Sequence, residues 1–138
     1  MFEFVQFISL SKGVDRQMWD EKTVARLSEA HEIEVILTAP ERPVVRTPIW
    51  VVAVEGALYV RSWKGAGGLW YRRAQRYGVG SISAEGIERA VRFVPIDEPE
   101  LDAKIDDALL GKYADSPYAA AMTRPPATGT TMRLDPAS

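Results

Sequence analysis

Residues 46–77 read RTPIWVVAVEGALYVRSWKGAGGLWYRRAQRY, and this stretch decides the fold and contains the candidate site. It carries six basic residues against a single acid, Glu55, in a chain whose formal net charge is −2. Three of the four tryptophans of the chain also lie here. A basic, aromatic and glycine-punctuated stretch in an acidic chain favours a site for an anion that carries a ring. The alternative interpretation is a solvated basic face beside core aromatics.

The first half of the stretch predicts a β-hairpin. The unbroken apolar run Ile49–Val54 is typical of a strand buried on both faces. Glu55 and Gly56 then form a tight-turn signal, so Ala57–Trp63 should return as the partner strand. Alternation along that partner places Arg61 on the face opposite to Leu58.

The second half predicts a loop followed by a helix. Lys64–Gly68 is glycine-rich and reads as a loop, and Leu69–Tyr77 reads as a short helix ended by Gly78. The backbone amides of such a loop and of a helix N-terminus can hold an anion. The loop is neither a Walker nor a dinucleotide fingerprint, so this signal is weak by itself.

Outside this stretch, alternating patterns and turn signals predict further strands at Ile33–Thr38, Val79–Ser83, Ile87–Val94 and Thr130–Leu134. Helices are expected after the capping residues Asp20 and Asp97. Phe2–Leu10 fits a strand or a helix equally well. Together these elements predict a mostly β protein with flanking helices, built on a small antiparallel barrel of six short strands.

Composition narrows the class of protein. A length of 138 residues suits one domain over residues 1–138, with residues 1–19 as an N-terminal extension. The absence of cysteine excludes disulfides and cysteine metal sites and fits a cytoplasmic protein. The apolar start contains Glu3 and Gln6 and is short, which predicts neither a signal peptide nor a membrane span. The acidic balance argues against nucleic-acid binding.

No catalytic constellation stands out in the sequence, so catalytic residues stay unassigned. The single histidine, His31, falls on a predicted amphipathic helix and cannot form a triad alone. The carboxylates between Asp97 and Asp107 are assigned to a helix cap and a solvated helix face. Their spacing matches no recognisable metal site, so no metal is predicted.

Three basic residues of the stretch are expected to converge. Arg46, Arg61 and Lys64 lie at the ends of strands that should pair. Arginine suits phosphate because its planar guanidinium makes two parallel charge-assisted hydrogen bonds. The residues by themselves therefore leave two interpretations open: a site for a ligand that carries phosphate, or a solvated basic face beside core aromatics.

Several short motifs resemble the flavin-binding split-barrel superfamily. Arg46-Thr47-Pro48 enters an apolar strand, the Glu55-Gly56 turn follows, and Tyr59–Ser62, Gly65 and Trp70–Arg73 come in the same order as in the deazaflavin-dependent nitroreductase-like branch. The downstream stretches Ile105–Ala108, Lys112-Tyr113, Ser116–Tyr118 and Thr130–Leu134 look like the C-terminal part of an uncharacterised family of that superfamily. The resemblance covers Ile33–Pro136.

The resemblance implies a six-stranded antiparallel split barrel of the FMN-binding type, usually a homodimer with flavin sites at the subunit interface. It implies that the cofactor phosphate is held by the following residues: Arg46, Thr47, Arg61, Ser62, Lys64 and Gly65. Trp70 and Arg73 would border the same pocket. The segment Pro40–Pro43 departs from the glycine-rich approach of deazaflavin enzymes, which leaves FMN, a deazaflavin or no cofactor open.

The leading hypothesis is thus a flavin-type cofactor-binding protein with oxidoreductase activity, in which the cofactor ring carries hydride or electrons. One alternative is a dimeric split barrel without cofactor that acts as a binding or scaffold protein. Another is a nucleotide or small-molecule binder that uses the same basic pocket without redox chemistry.

Overall fold

A computed structural model gives the fold of residues 17–137, so the ambiguous segment Phe2–Leu10 lies outside the described residues. Within that range the chain forms three α-helices and seven β-strands. The helices are α1 (Glu21–Glu29), α2 (Leu69–Tyr77) and α3 (Pro99–Lys112). The strands are β1 (Ile33–Leu37), β2 (Val45–Ile49), β3 (Val52–Val54), β4 (Ala57–Val60), β5 (Val79–Ala84), β6 (Ile87–Pro95) and β7 (Met132–Pro136).

All seven strands belong to one antiparallel sheet with the order β2-β1-β5-β6-β7-β4-β3. Its two edge strands, β2 and β3, are consecutive in sequence and are separated only by Trp50 and Val51. Because two neighbouring residues connect opposite edges, the edges must meet at that point. The sheet is therefore curled into a half-barrel.

The prediction of six strands was wrong by one, and the error lies in Ile49–Val54. Ile49 pairs with Ile33 of β1, whereas Val52 pairs with Tyr59 of β4. The extended segment changes its partner strand in between, so it counts as two strands. An apolar run shows that a segment is buried, but it does not show which strands flank it.

Side chains from the end of α3 hold the junction between β2 and β3. The Val51 amide donates to the Tyr113 hydroxyl at 3.1 Å, and Lys112 Nζ donates to the Val51 carbonyl at 2.7 Å. The Tyr113 hydroxyl in turn donates to the His31 carbonyl at 2.7 Å. Val51 is fully buried, so its backbone groups need partners where the sheet ladder is interrupted. The side chains of Tyr113 and Lys112 therefore bond the backbone groups of Val51 that a neighbouring strand would otherwise pair.

Local signals placed several elements correctly. Glu55 and Gly56 both have positive φ, 53° and 82°, which is the geometry of a tight hairpin turn. Strand β4 ends at Val60, three residues before the predicted end at Trp63. Helix α2 has the predicted bounds, and Gly78 follows it in the left-handed conformation with φ 75°.

The predicted capping residue of α1 is confirmed, whereas the capping residue predicted for α3 was wrong. The Asp20 carboxylate accepts the Thr23 amide at 2.7 Å and so caps α1 as predicted. At α3 the cap position is Glu98 and not Asp97, and its side chain makes no capping bond. Pro99 occupies the first turn, where its missing amide costs nothing.

The core has two parts on the two faces of the sheet. The inner face packs against α1 and α2, with Leu27, Val35, Leu58, Trp70, Ile82, Val91 and Leu134 among its buried members. The outer face of β3 and β4 packs against α3 and the segment after it, with Val54, Tyr59, Ile105, Leu109 and Met122 buried there. Strand β4 is therefore buried on both faces. Leu58 packs on the inner face and Tyr59 on the outer face, which agrees with alternation along the strand.

Candidate functional site

A cavity of about 480 Å³ lies beside β2, the residues that follow β4 and the start of α2. Its volume falls in the range of small-molecule and cofactor sites. All three tryptophans of residues 46–77 border it: Trp50, Trp63 and Trp70. The charged residues on its wall are Glu32, Arg61 and Lys64.

Five of the eight predicted site residues line this cavity: Thr47, Arg61, Ser62, Lys64 and Trp70. The other three, Arg46, Gly65 and Arg73, do not border it. The structure thus brings Arg61 and Lys64 to one cavity and leaves Arg46 outside.

Arg46 lies on the opposite face of β2. Its neighbours Val45 and Thr47 line the cavity, and successive side chains of a strand point to opposite faces. The Arg46 guanidinium is exposed and forms an ion pair with the Glu34 carboxylate at 3.0 Å. The predicted convergence of Arg46 with Arg61 and Lys64 is therefore absent in this structure.

Arg73 connects α2 to the segment that precedes β2. Its guanidinium donates to the Pro43 carbonyl at 2.7 Å and to the Leu37 carbonyl at 3.3 Å. The side chain fixes the position of α2 relative to β1 and β2.

The Arg61 guanidinium is enclosed by the protein, with its side chain fully buried. Nε donates to Thr131 Oγ1 at 2.8 Å, and Nη1 donates to both the Asp106 carboxylate at 2.5 Å and the Met122 carbonyl at 2.9 Å. A further nitrogen faces the carbonyl and carboxylate of Asp102 at 3.3 and 3.4 Å. Alternation along β4 turns Arg61 towards α3, where Asp102 and Asp106 stand one helical turn apart. Arg61 therefore forms part of the wall while its donors are used by the protein.

Lys64 and the start of α2 form the electropositive part of the wall. Within residues 17–137 the exposed Lys64 ammonium makes no ion pair. Gly68 at the cap position offers no side chain to the first amides of α2, and its first turn has no acidic residue. Free amides and the helix dipole favour an anion at this end.

The loop that carries Lys64 rests on the segment before β7. Ser62 Oγ donates to the Gly65 carbonyl at 2.7 Å, and the Ser62 amide donates to Thr130 Oγ1 at 2.8 Å. Gly65 has φ +74°, and a Cβ there would come within 2.6 Å of Pro126 Cβ. A glycine is needed at this position for both backbone and packing reasons. Ser62 and Gly65 thus shape the loop around Lys64.

The aromatic residues are fixed to different degrees. Trp50 stacks on Tyr113 with 3.9 Å between centroids and 4° between planes. Trp63 meets Tyr118 edge to face at 6.2 Å, and these two side chains are 56% and 59% exposed. Trp70 is buried in the core and lines the cavity. One end of the cavity is therefore rigid and the other is an exposed aromatic rim.

Sequence reasoning missed Glu32, Trp50 and Tyr118 as wall residues. Trp50 was assigned to a buried strand, and the only signal against this was one aromatic at the start of an aliphatic run. Glu32 and Tyr118 lie 86 positions apart in the sequence, and no local pattern connects them. Only the curling of the sheet brings them to one cavity.

Two side chains at the β2–β3 junction have shifted pKa values. Burial lowers the pKa of Lys112 to about 8 and raises the pKa of Tyr113 to about 12. Both shifts favour the neutral form of the side chain.

Among residues 17–137 no group of three or more His, Asp or Glu side chains could hold a metal ion. In the same part of the chain no helix has the length and apolar character of a membrane span.

The chain belongs to the family described as "uncharacterized protein conserved in bacteria (DUF2255)", whose profile matches residues 23–134. No protein with a curated description matches the chain. It shares its fold with the conserved hypothetical protein Rv2991 from Mycobacterium tuberculosis, with a TM-score of 0.56, 13% identity and coverage of 90% of this chain and 82% of that one. It also shares its fold with a protein named F420 reductase, with a TM-score of 0.52 and 15% identity. The match covers 83% of this chain and 92% of that one.

Proposed function

We propose that this protein binds a flavin-type cofactor, FMN or a deazaflavin, in the cavity and uses it in an oxidoreductase reaction. The observation that carries the proposal is the combination of aromatic walls with an unpaired cation and an uncapped helix start at one cavity. A flavin has the matching parts, because it joins a flat aromatic ring to a phosphate. The fold supports the proposal, since F420 is itself a deazaflavin and a protein named F420 reductase shares this fold.

The residues present fit such a group. The volume of about 480 Å³ suits a ligand of this size class. Lys64 and the first amides of α2 would hold the phosphate, since both offer hydrogen-bond donors and positive potential. Trp50 would border the ring, and its plane is fixed in advance by the stack on Tyr113.

When bound, the flavin ring would supply the hydride or electron chemistry. The chain would anchor the phosphate, orient the ring and exclude water from it. Thr47 and Ser62 lie on the same wall, but the Ser62 hydroxyl already donates to Gly65. The predicted roles of Arg46 and Gly65 at the phosphate, and of Arg73 at the border of the pocket, stay predictions, because none of the three lines the cavity.

The direct experiment is a titration of the purified protein with FMN, followed by flavin and tryptophan fluorescence. Lys64→Ala should weaken FMN binding about tenfold or more, the range expected for a hydrogen bond to a charged group. Riboflavin, which lacks the phosphate, should bind equally to both proteins. Lys22→Ala is the matched control, because Lys22 is an exposed lysine of α1 that does not border this cavity.

Two results would contradict the proposal. If neither FMN nor a deazaflavin binds at tens of micromolar, the proposed cofactor role is contradicted. Binding of AMP in preference to both flavins would instead favour a nucleotide binder without redox chemistry. An equal loss of FMN and riboflavin affinity in Lys64→Ala would show that Lys64 does not contact the phosphate.

We also propose that two copies of the chain associate at the exposed rim of this cavity. Trp63, Leu69 and Tyr118 border the cavity and are each more than half exposed, at 56%, 51% and 59%. Contiguous exposed apolar side chains favour an interaction surface. Light scattering should give the mass of a dimer, and Trp63→Glu should reduce it to a monomer. A monomeric native protein would contradict this part of the proposal.

A further inference from the structure

Glu32 occupies a position on the cavity wall that the phosphate site does not use. It lies between α1 and β1, one residue before Ile33, which pairs with Ile49. Continuation of that register by one residue brings Glu32 beside Trp50. Among the described residues that line the cavity, Glu32 is the only one with a carboxylate.

The Glu32 carboxylate has no partner within residues 17–137, neither in a hydrogen bond nor in an ion pair. This differs from Glu34, two residues further along the chain, which is paired with Arg46 at 3.0 Å. Lys64 borders the same cavity, and it forms no ion pair with Glu32 in the described structure. The cavity wall therefore carries two separate and unpaired charges of opposite sign.

The two charges approach Trp50 from different strands. Lys64 follows β4, whereas Glu32 precedes β1. Trp50 lies at the junction between β2, which pairs with β1, and β3, which pairs with β4. Glu32, Trp50 and Lys64 all line the same cavity.

A carboxylate at such a wall selects what can lie against it. Glu32 is exposed, so its carboxylate is hydrated in the unliganded protein. A ligand that covers it displaces this water, which costs free energy unless the ligand offers a new donor. An anionic or purely accepting group at this position adds repulsion to that cost. A ligand with an N–H or O–H donor or a positive charge here is therefore favoured.

We infer that Glu32 is a specificity-determining residue that accepts a hydrogen bond from a donor group at the end of the ligand remote from its phosphate. This inference rests on the proposed function. In FMN and in deazaflavins, the imide N–H of the pyrimidine part of the ring is a donor far from the phosphate. Glu32 would thus select ring systems with an unsubstituted imide.

The test compares FMN with FMN that is methylated at the imide nitrogen, N3, in the native protein and in Glu32→Ala. Methylation should weaken binding to the native protein about tenfold and should have no effect in Glu32→Ala. FMN itself should bind about tenfold more weakly to Glu32→Ala, and Glu32→Gln should fall between the two because its amide oxygen still accepts. Glu29→Gln, an exposed change at the end of α1 away from the cavity, should match the native protein.

Each outcome is decisive. If the methylation penalty persists in Glu32→Ala, or if Glu32→Ala binds FMN as the native protein does, the role of Glu32 is overturned. The cofactor proposal survives that result as long as FMN binding still depends on Lys64. If the native protein binds no flavin, both proposals fail together.

Discussion

The indole of Trp50 lies flat on the phenol ring of Tyr113, with 3.9 Å between the ring centroids and 4° between the planes. The hydroxyl of the same tyrosine accepts the amide of Val51, the next residue along the chain. A single side chain at the end of α3 therefore both joins the two edges of the sheet and fixes one wall of the cavity. The stability of the fold and the shape of the candidate site depend on the same contact.

Tyr113→Phe should separate these two roles. It keeps the ring on Trp50 but removes the hydroxyl, and buried Val51 then loses the partner of its amide. We expect a loss of about 1–3 kcal/mol in the free energy of unfolding, measured by urea denaturation. The near-ultraviolet circular dichroism of the tryptophans should be kept.

Tyr77→Phe is the matched control, because Tyr77 is 40% exposed and its loss of a hydroxyl leaves no buried group without a partner. Tyr113→Leu should cost more than Tyr113→Phe, because it also removes the stacked ring. Equal stability of the native protein and Tyr113→Phe would show that the hydroxyl does not hold the junction.

Lys112 should make stability depend on pH in the alkaline range. Burial lowers its pKa from 10.5 to about 8 in the folded protein, so the unfolded chain holds more protons between these values. Raising the pH through this window therefore stabilises the folded state. The stability of the native protein relative to Lys112→Met should rise between about pH 8 and pH 10.5.

Tyr113 produces the opposite trend at higher pH. Burial raises its pKa from 10.0 to about 12, so the unfolded chain ionises first and stability is lost as the pH rises between these values. Urea denaturation at a series of pH values measures both effects. Lys22→Met serves as the exposed control, and a difference between native and Lys112→Met that is constant with pH would contradict the role of Lys112.

Arg61→Met should destabilise the fold strongly. The substitution leaves the carboxylates of Asp102 and Asp106 facing a buried apolar side chain, and breaking such a pair costs about 3–5 kcal/mol. Arg92→Met, an exposed change on β6, should stay within about 0.5 kcal/mol of the native protein. Urea denaturation measures both variants.

The same variant also tests the role that the split-barrel resemblance implies for Arg61. A variant Arg61→Met with native stability and lost FMN binding would assign Arg61 to the cofactor phosphate. A large loss of stability, with FMN affinity retained by the folded fraction, would instead assign it to the network with α3.

Gly65→Ala should damage the loop that carries Lys64. The residue has φ +74°, which costs a residue with a side chain about 1–2 kcal/mol, and the new Cβ would lie 2.6 Å from Pro126 Cβ. Both the free energy of unfolding and the FMN affinity should fall. Gly67→Ala, two residues further on, is the matched control because nothing lies within 4 Å of its Cβ position. Equal behaviour of the two variants would contradict the role of Gly65.

Much of the fold follows from local patterns in the sequence. The capping aspartate of α1, the turn at Glu55-Gly56, and the bounds of α2 with its terminal Gly78 are all set by residues close together in the chain. These signals depend on backbone conformation and side-chain chemistry within a few residues. They can therefore be read without knowledge of the partners.

The candidate site was predicted only in part. Thr47, Arg61, Ser62, Lys64 and Trp70, which the split-barrel resemblance had implied, do line the cavity. The position of Arg46 was missed because the face that each residue of β2 presents depends on its register with β1. The wall residues Glu32 and Tyr118 come from segments that approach only when the sheet curls.

The sequence by itself determined a mostly β chain with a basic aromatic stretch, since composition, alternation and turn residues act locally. Tertiary structure decided that the run Ile49–Val54 divides at Trp50 and Val51 and supplies both edges of the sheet. It also decided that Arg61 pairs with α3, while Lys64 at the cavity makes no ion pair with any residue of 17–137. The physical reason is that the neutralisation of a charge and the choice of a partner strand depend on groups that approach only in the folded chain, such as Asp106, which lies 45 positions from Arg61, and the different strands that flank Ile49 and Val52.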